Sequence, residues 1–119
     1  MPYPSAPPPG YIPTAIGFVR VDLSVEHADR YAREIQRHAR DSGYRYLYTV
    51  RPPADDPDPL TYVRALATEL SAAVIIAFDL GQVDNQPTRI CDLGYRLETV
   101  CPPMVWTPST PLGSGEVPV

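Results

Sequence analysis

The sequence predicts a small α/β domain, with an open, mainly parallel sheet of about four strands flanked by helices in three layers. Short runs rich in β-branched and aromatic residues alternate with segments whose apolar residues recur at helical spacing. The most apolar run, 72–78 (AAVIIAF), is too short to cross a membrane and is typical of a strand covered on both faces. This alternation favours right-handed crossovers between parallel strands.

The first half of the chain predicts two strands and a helix. Residues 15–21 (AIGFVRV) are mostly apolar and predict the first strand. Apolar residues then recur at positions 28, 31, 32, 35 and 39, which predicts an amphipathic helix ending at Gly43. Asp22 or Ser24 is expected to cap this helix. Residues 44–51 (YRYLYTVR), which precede two prolines, predict the second strand.

The second half predicts two further strands and two helices. Pro59 suits a first helical turn, and the apolar spacing that follows it predicts a helix over 60–71. The run 72–78 then predicts the central strand, which ends at Asp79. A short helix over 88–93 and a last strand over 95–100 complete the pattern.

Composition divides the chain into one domain and two tails. Residues 1–14 and 102–119 are rich in proline and lack helical or strand periodicity, so we expect tails there and a single domain over 15–101. Trp106 and the apolar residues before it are exceptions, because they are apolar enough to lie against the domain. Whether Trp106 docks is left open.

Charge and cysteine content narrow the class of protein. A net charge of −4 and a pI near 5.0 exclude a surface that is basic all over, as free-standing DNA-binding proteins often have. No apolar run is long enough for a membrane span and no secretion signal is recognisable, so we expect a cytoplasmic protein. Cys91 and Cys101 lack the spacing of zinc or redox sites and are expected to be buried thiols.

Residues 15–24 (AIGFVRVDLS) resemble the opening strand of serine recombinases of the resolvase and invertase family. In that family an apolar strand leads through an arginine to the nucleophilic serine, and Phe18 to Val21 fill the pattern up to that serine. Asp22 stands at the nucleophile position. The resemblance extends over about 15–100, through the Gly43-Tyr44 entry into the second strand and Asp79 after the third. It implies the fold of the recombinase catalytic domain.

The resemblance places a catalytic site at Arg20, Asp22 and Asp79, and most of its chemistry is missing. A carboxylate repels phosphate and cannot form a phosphoserine link to DNA. The later arginines of the family fall on Leu80 and Val83. Loss of a single phosphate-stabilising donor commonly costs about 100-fold or more in rate. We therefore expect a catalytically inactive, recombinase-like domain that binds a protein partner or has a regulatory role in a DNA-linked setting, with its oligomeric state open.

Two other functions remain open from sequence. Asp22 and Asp79 follow the carboxyl ends of strands expected in one sheet, and clustered carboxylates there suit Mg²⁺ and a metal-dependent hydrolase or phosphoryl-transfer enzyme. The favoured interpretation has no cofactor or metal, with Asp22 capping a helix or paired with Arg20. No helix-turn-helix or zinc pattern for DNA recognition is present in the tails. We also expect the family's long dimerisation helix and separate DNA-binding domain to be missing.

The first helix carries four arginines at helical spacing, Arg30, Arg33, Arg37 and Arg40. They share a face and are candidates for non-specific contact with DNA phosphates. Acidic residues stand four positions from three of them, which is the spacing of solvated ion pairs within a helix. We favour these ion pairs over a DNA footprint.

Overall fold

The protein is described by a computed structural model over residues 12–23 and 26–108. The strands are β1 (Thr14–Phe18), β2 (Arg45–Val50), β3 (Val74–Ala77), β4 (Arg96–Val100) and β5 (Pro103–Trp106). The helices are α1 (Ala28–Asp41), α2 (Pro59–Glu69) and α3 (Thr88–Cys91), and a 3-10 turn spans Leu80–Val83. The predicted order of strands and helices is confirmed.

The strands form one sheet in the order β2-β1-β3-β4-β5. β1 pairs in parallel with both β2 and β3, and β4 continues the parallel set beside β3. Helix α1 packs on one face through Ile35 and Ala39, against Val74 and Ile76 of β3. Helices α2 and α3 cover the other face, where their apolar residues join the opposite side chains of β1, β3 and β4. The predicted α/β class is therefore confirmed.

The fifth strand lies where composition predicts the start of a tail. The chain turns after β4, and β5 returns antiparallel to it, with Leu97 opposite Trp106 and Thr99 opposite Met104. Trp106 packs against the core on the side of α2 and α3, so it does dock on the domain. Proline is tolerated at the first residue of an edge strand, and Pro103 begins this one. The rest of the predicted tails, 1–11 and 109–119, lies outside the described residues.

Helix α1 ends as predicted but begins differently. Gly43 has φ +79° and donates its N–H to Arg40, the left-handed ending that glycine permits. The residue at the N-cap is His27, whose side chain makes no capping hydrogen bond. The expectation that Asp22 caps the helix is therefore wrong, because Asp22 binds Arg20 instead. Ser24, the other expected cap, lies outside the described residues.

Helix α2 carries a side-chain cap. Asp58 stands before Pro59 and accepts hydrogen bonds from the backbone N–H and the hydroxyl of Thr61. The bond from the Thr61 hydroxyl, and next in size the hydrogen bond from Arg89, lower the pKa of Asp58 to about 2. The ion pair between Asp58 and Arg89 ties the start of α2 to α3.

The two cysteines differ in their burial. Cys91 is buried, and that burial raises the pKa of its thiol, but Cys101 is exposed, so the expectation of two buried thiols is wrong for Cys101. Cys101 is exposed because it lies in the turn between β4 and β5.

Within the described residues, no helix has both the length and the apolar character of a membrane span.

Candidate functional site

The candidate site lies beyond the carboxyl ends of β1 and β3. The connection after β1 leads to β2 on one side of it, and the connection after β2 leads back past β1 to β3 on the other side. In open α/β sheets this change of direction leaves a crevice at the carboxyl ends of the two central strands, where ligands commonly bind. Residues 19–22 follow β1 and residues 79–84 follow β3, so both segments line this edge.

Arg20 occupies the centre of this edge and is fully engaged by protein groups. Its guanidinium donates two hydrogen bonds to Asp22, from Nε at 3.2 Å and from Nη2 at 2.8 Å. Nη1 donates to Oδ1 of Asp84 at 2.7 Å. The backbone N–H donates to Oε1 of Gln82 at 2.8 Å. With 8% of its surface exposed, Arg20 is a nearly buried cation enclosed by two carboxylates.

The charges of this cluster stabilise one another. The hydrogen bond to Asp22 raises the pKa of Arg20 above its usual range, although burial alone works in the other direction. The same bond lowers the pKa of the Asp22 carboxyl below its usual range. Asp22 is therefore an anion beside a cation, and the carboxylate of Asp84 lies 2.7 Å from Nη1 of the same guanidinium, so Arg20 and its two partners carry a net negative charge. An incoming phosphate would have to displace these carboxylates and overcome their repulsion.

Asp79, the third residue that the resemblance selects, lies on the same edge but outside this cluster. Its backbone carbonyl accepts a hydrogen bond from Gln82 at 3.2 Å and so closes the 3-10 turn. Its Oδ1 atom is buried and has no hydrogen-bond partner among the described residues. Gly81 lies beside it, and a β-carbon there would be 3.2 Å from that oxygen. The structure thus unites Arg20 with Asp22, and it places Asp79 near them without bonding it to either.

The positions at which the family carries its later arginines serve the core. Val83 is completely buried and packs in the cluster beneath α2 and α3, and Leu80 packs against the same cluster. Neither position directs a polar group into the crevice, so the donors that would stabilise a phosphoryl transition state are missing from both.

The donor set does not suit the magnesium that the sequence suggests for Asp22 and Asp79. Both oxygens of Asp22 accept hydrogen bonds from Arg20, and a guanidinium at that distance competes with a cation. Over residues 12–23 and 26–108, no group of three or more His, Cys, Asp or Glu side chains is arranged to hold a metal ion.

The arginines on the exposed face of α1 do not form the ion pairs that the sequence predicts. Arg30, Arg33, Arg37 and Arg40 are all exposed. Within the described part of the chain, none of the four joins an ion pair. Asp29, expected opposite Arg33, instead accepts a hydrogen bond at 3.0 Å from Arg51, which follows β2. The prediction of ion pairs within this helix is therefore wrong, because one acid is drawn to another element.

Arg30 differs from the other three arginines in its surroundings. Its guanidinium carbon lies 5.4 Å from the ring centre of Tyr31 and 5.7 Å from that of Phe78. Those two rings are stacked, with their centres 3.9 Å apart. Cation–π attraction therefore directs Arg30 toward the N-terminal end of α1, away from the remaining arginines.

A second polar cluster, which the sequence analysis does not include, lies beneath α1. Glu98 of β4 is 3% exposed and accepts hydrogen bonds from Tyr44 and Arg96, and it lies 2.7 Å from Nε2 of His38. Burial alone raises the pKa of Glu98, and the hydrogen bonds from Tyr44, Arg96 and His38 outweigh burial, so its pKa lies below the usual range. This cluster joins α1, the segment before β2, and β4.

Sequence reasoning missed Gln82, Asp84 and Glu98 as partners in these clusters. Gln82 and Asp84 are separated from Arg20 by 62 and 64 positions, and only the fold brings them together. Glu98 does carry a signal, since an acid at a buried strand position between Leu97 and Thr99 needs partners.

Comparison of the chain with family models, with curated proteins and with solved structures finds no match.

Proposed function

We propose that this chain is a catalytically inactive, serine-recombinase-like domain that acts as a binding or regulatory module for a protein partner. The proposal rests on one observation, the enclosure of Arg20 by Asp22 and Asp84. The one arginine that matches the family site is neutralised internally, and a carboxylate stands at the nucleophile position. Among the described residues, the positions that match the family site therefore offer neither a nucleophilic hydroxyl nor a free arginine for phosphate chemistry.

The test is an assay for DNA cleavage and for covalent attachment to DNA. Wild-type protein and an Asp22→Ser variant are incubated with supercoiled plasmid, and products are separated on denaturing gels beside an active serine recombinase. Neither protein should nick the plasmid or become linked to it. In the variant Arg20 is still paired with Asp84, and Leu80 and Val83 supply no donors. Cleavage or a covalent adduct formed by the wild type would refute the proposal.

A metal-dependent hydrolase using Asp22 and Asp79 is a weaker second candidate. The unpartnered Oδ1 of Asp79 among the described residues is the observation that favours it. Magnesium titration followed by NMR separates the two functions, because an enzyme of this class would show saturable binding that Asp79→Asn abolishes.

DNA binding through α1 is a third candidate, favoured by the unpaired arginines in the described part of the chain. If α1 binds DNA, the measured affinity for duplex DNA should fall steeply with added salt. It should be lost when Arg33 and Arg37 are neutralised together.

A further inference from the structure

Two adjoining hollows form a groove between α1 and the start of β2, here named the α1–β2 groove. The hollow along α1 measures about 370 Å³ and is lined by Arg33, Glu34, Gln36, Arg37 and Arg40. The hollow at the start of β2 measures about 480 Å³ and is lined mainly by Ile12, Gln36, Arg40, Tyr44, Arg45 and Tyr46. Gln36 and Arg40 belong to both, so the surface is continuous from the middle of α1 to the edge of the sheet.

The groove carries a positive charge that the rest of the described structure does not neutralise. Arg33, Arg37, Arg40 and Arg45 are exposed, and no ion pair in residues 12–23 and 26–108 includes them. Glu34 is the acid in the lining, which leaves the groove cationic in a chain whose net charge is −4. Such a local excess attracts an anionic ligand.

The groove opens onto the outer edge of the sheet. β2 is the last strand on its side of the sheet, so its outer backbone groups pair with no other described strand. It contains no proline and no acidic residue, and Leu47 and Tyr48 are 36% and 44% exposed. Edge strands are often protected from further pairing by charges, prolines or bulges. β2 has a register shift against β1 between Tyr46 and Thr49, and its one charged residue, Arg45, is a cation, so its charge favours an added strand that is acidic. Main-chain hydrogen bonds would then give affinity and side-chain contacts specificity.

A second copy of the chain fits this edge poorly. A second copy would bring the arginines of two such grooves together at one edge, and in the antiparallel register centred on Tyr48 it would place Arg45 of one copy opposite Arg51 of the other, where like charges are destabilising. A nucleic acid would engage the arginines but could not use the strand edge. An acidic polypeptide satisfies both features.

We propose that the α1–β2 groove binds an extended acidic segment of a partner protein, which adds as a strand to β2 and directs its carboxylates to Arg37 and Arg40. The inference rests on the proposed function and names the kind of protein partner. Alternating acidic and apolar residues suit it, because one face of the added strand then meets the arginines of α1 while the other lies on the side of the exposed Leu47.

The experiment measures fluorescence anisotropy of a labelled peptide in which glutamate and valine alternate, with full-length protein. We expect saturable binding that weakens with salt, and a loss in affinity of about 5-fold for Arg40→Gln, the scale of one charge contact. Arg30→Gln is the matched control, because Arg30 lies on the same helix outside both hollows, and it should bind as the wild type does. A peptide of alternating lysine and valine should not bind.

The strand pairing is tested on the peptide rather than the protein, which avoids variants that misfold. Methylation of alternate peptide nitrogens removes the donors that face β2 and should abolish binding. Absence of binding by the wild type, equal binding by Arg40→Gln, or unchanged binding after methylation would each overturn the inference. Tighter, Arg40-dependent binding of oligothymidylate under the same salt would assign the groove to nucleic acid instead. DNA cleavage is assayed separately. A protein that neither cleaves DNA nor binds the peptide would therefore refute this inference and leave the proposed function standing.

Discussion

At the scale of single residues, the main finding is that the nearly buried Arg20 and Glu98 have charged partners inside the protein. Arg20 and Asp22 are two positions apart, and their pairing was one of the sequence-based alternatives for Asp22. The contact of Arg20 with Asp84 depends on a 3-10 turn after β3 and could not be predicted. Local spacing thus identified half of the cluster, and tertiary structure supplied the rest.

Glu98 leads to a prediction about stability. Replacing it by glutamine should lower the free energy of unfolding at neutral pH by about 1–3 kcal/mol, because charge-assisted hydrogen bonds with Tyr44, Arg96 and His38 are weakened. Urea unfolding of the variant beside wild type measures the difference. Glu69→Gln, a change at an exposed residue near the end of α2, is the control and should alter little.

The lowered pKa of Glu98 predicts how the stability of the protein changes with pH. The folded pKa of Glu98 lies below its unfolded value, so its contribution to stability is fully present above about pH 4.3 and is lost as the pH falls through the folded pKa. Acid titration of stability should therefore be shallower in Glu98→Gln than in wild type. Identical slopes in the two proteins would show that Glu98 is not held as a stabilised anion.

At the scale of elements, the sequence patterns predicted four strands and three helices that the structure contains, and they missed β5. Helix α1 and strand β3 are long or apolar enough that tertiary contacts only moved their ends. Strand β5 is short and begins with Pro103, so it has little pattern of its own and depends on pairing with β4. The ion pairs expected along α1 failed for a related reason, because Asp29 could reach Arg51 on another element.

The central strand provides a test at this scale. Ile75 is completely buried in the cluster between the sheet and α2, and Ile75→Ala should cost on the order of 2–5 kcal/mol through lost contacts and a cavity. Thermal and urea unfolding measure the loss. Leu93→Ala is the control, because Leu93 is 55% exposed and its truncation should change stability little. An unchanged melting temperature for Ile75→Ala would contradict the placement of β3 in the core.

At the scale of the whole molecule, fold and charge separate two surfaces. The crevice beyond β1 and β3 is where this topology usually binds ligands, yet its cation is neutralised by Asp22 and Asp84. The exposed positive charge lies instead in the α1–β2 groove at the edge of the sheet. The sequence predicted the class of fold and the edge on which Arg20, Asp22 and Asp79 lie. It could not predict the groove, which needs the packing of α1 beside β2.

Phosphate binding at Arg20 tests the central claim most directly. The Nε–Hε signal of Arg20 is followed by NMR in nitrogen-labelled protein while inorganic phosphate is added at constant ionic strength. We expect no saturable shift in wild type, because Asp22 and Asp84 occupy the guanidinium. The double variant Asp22→Asn with Asp84→Asn should bind phosphate, since the competing charges are gone. A saturable shift in the wild-type signal would contradict the account.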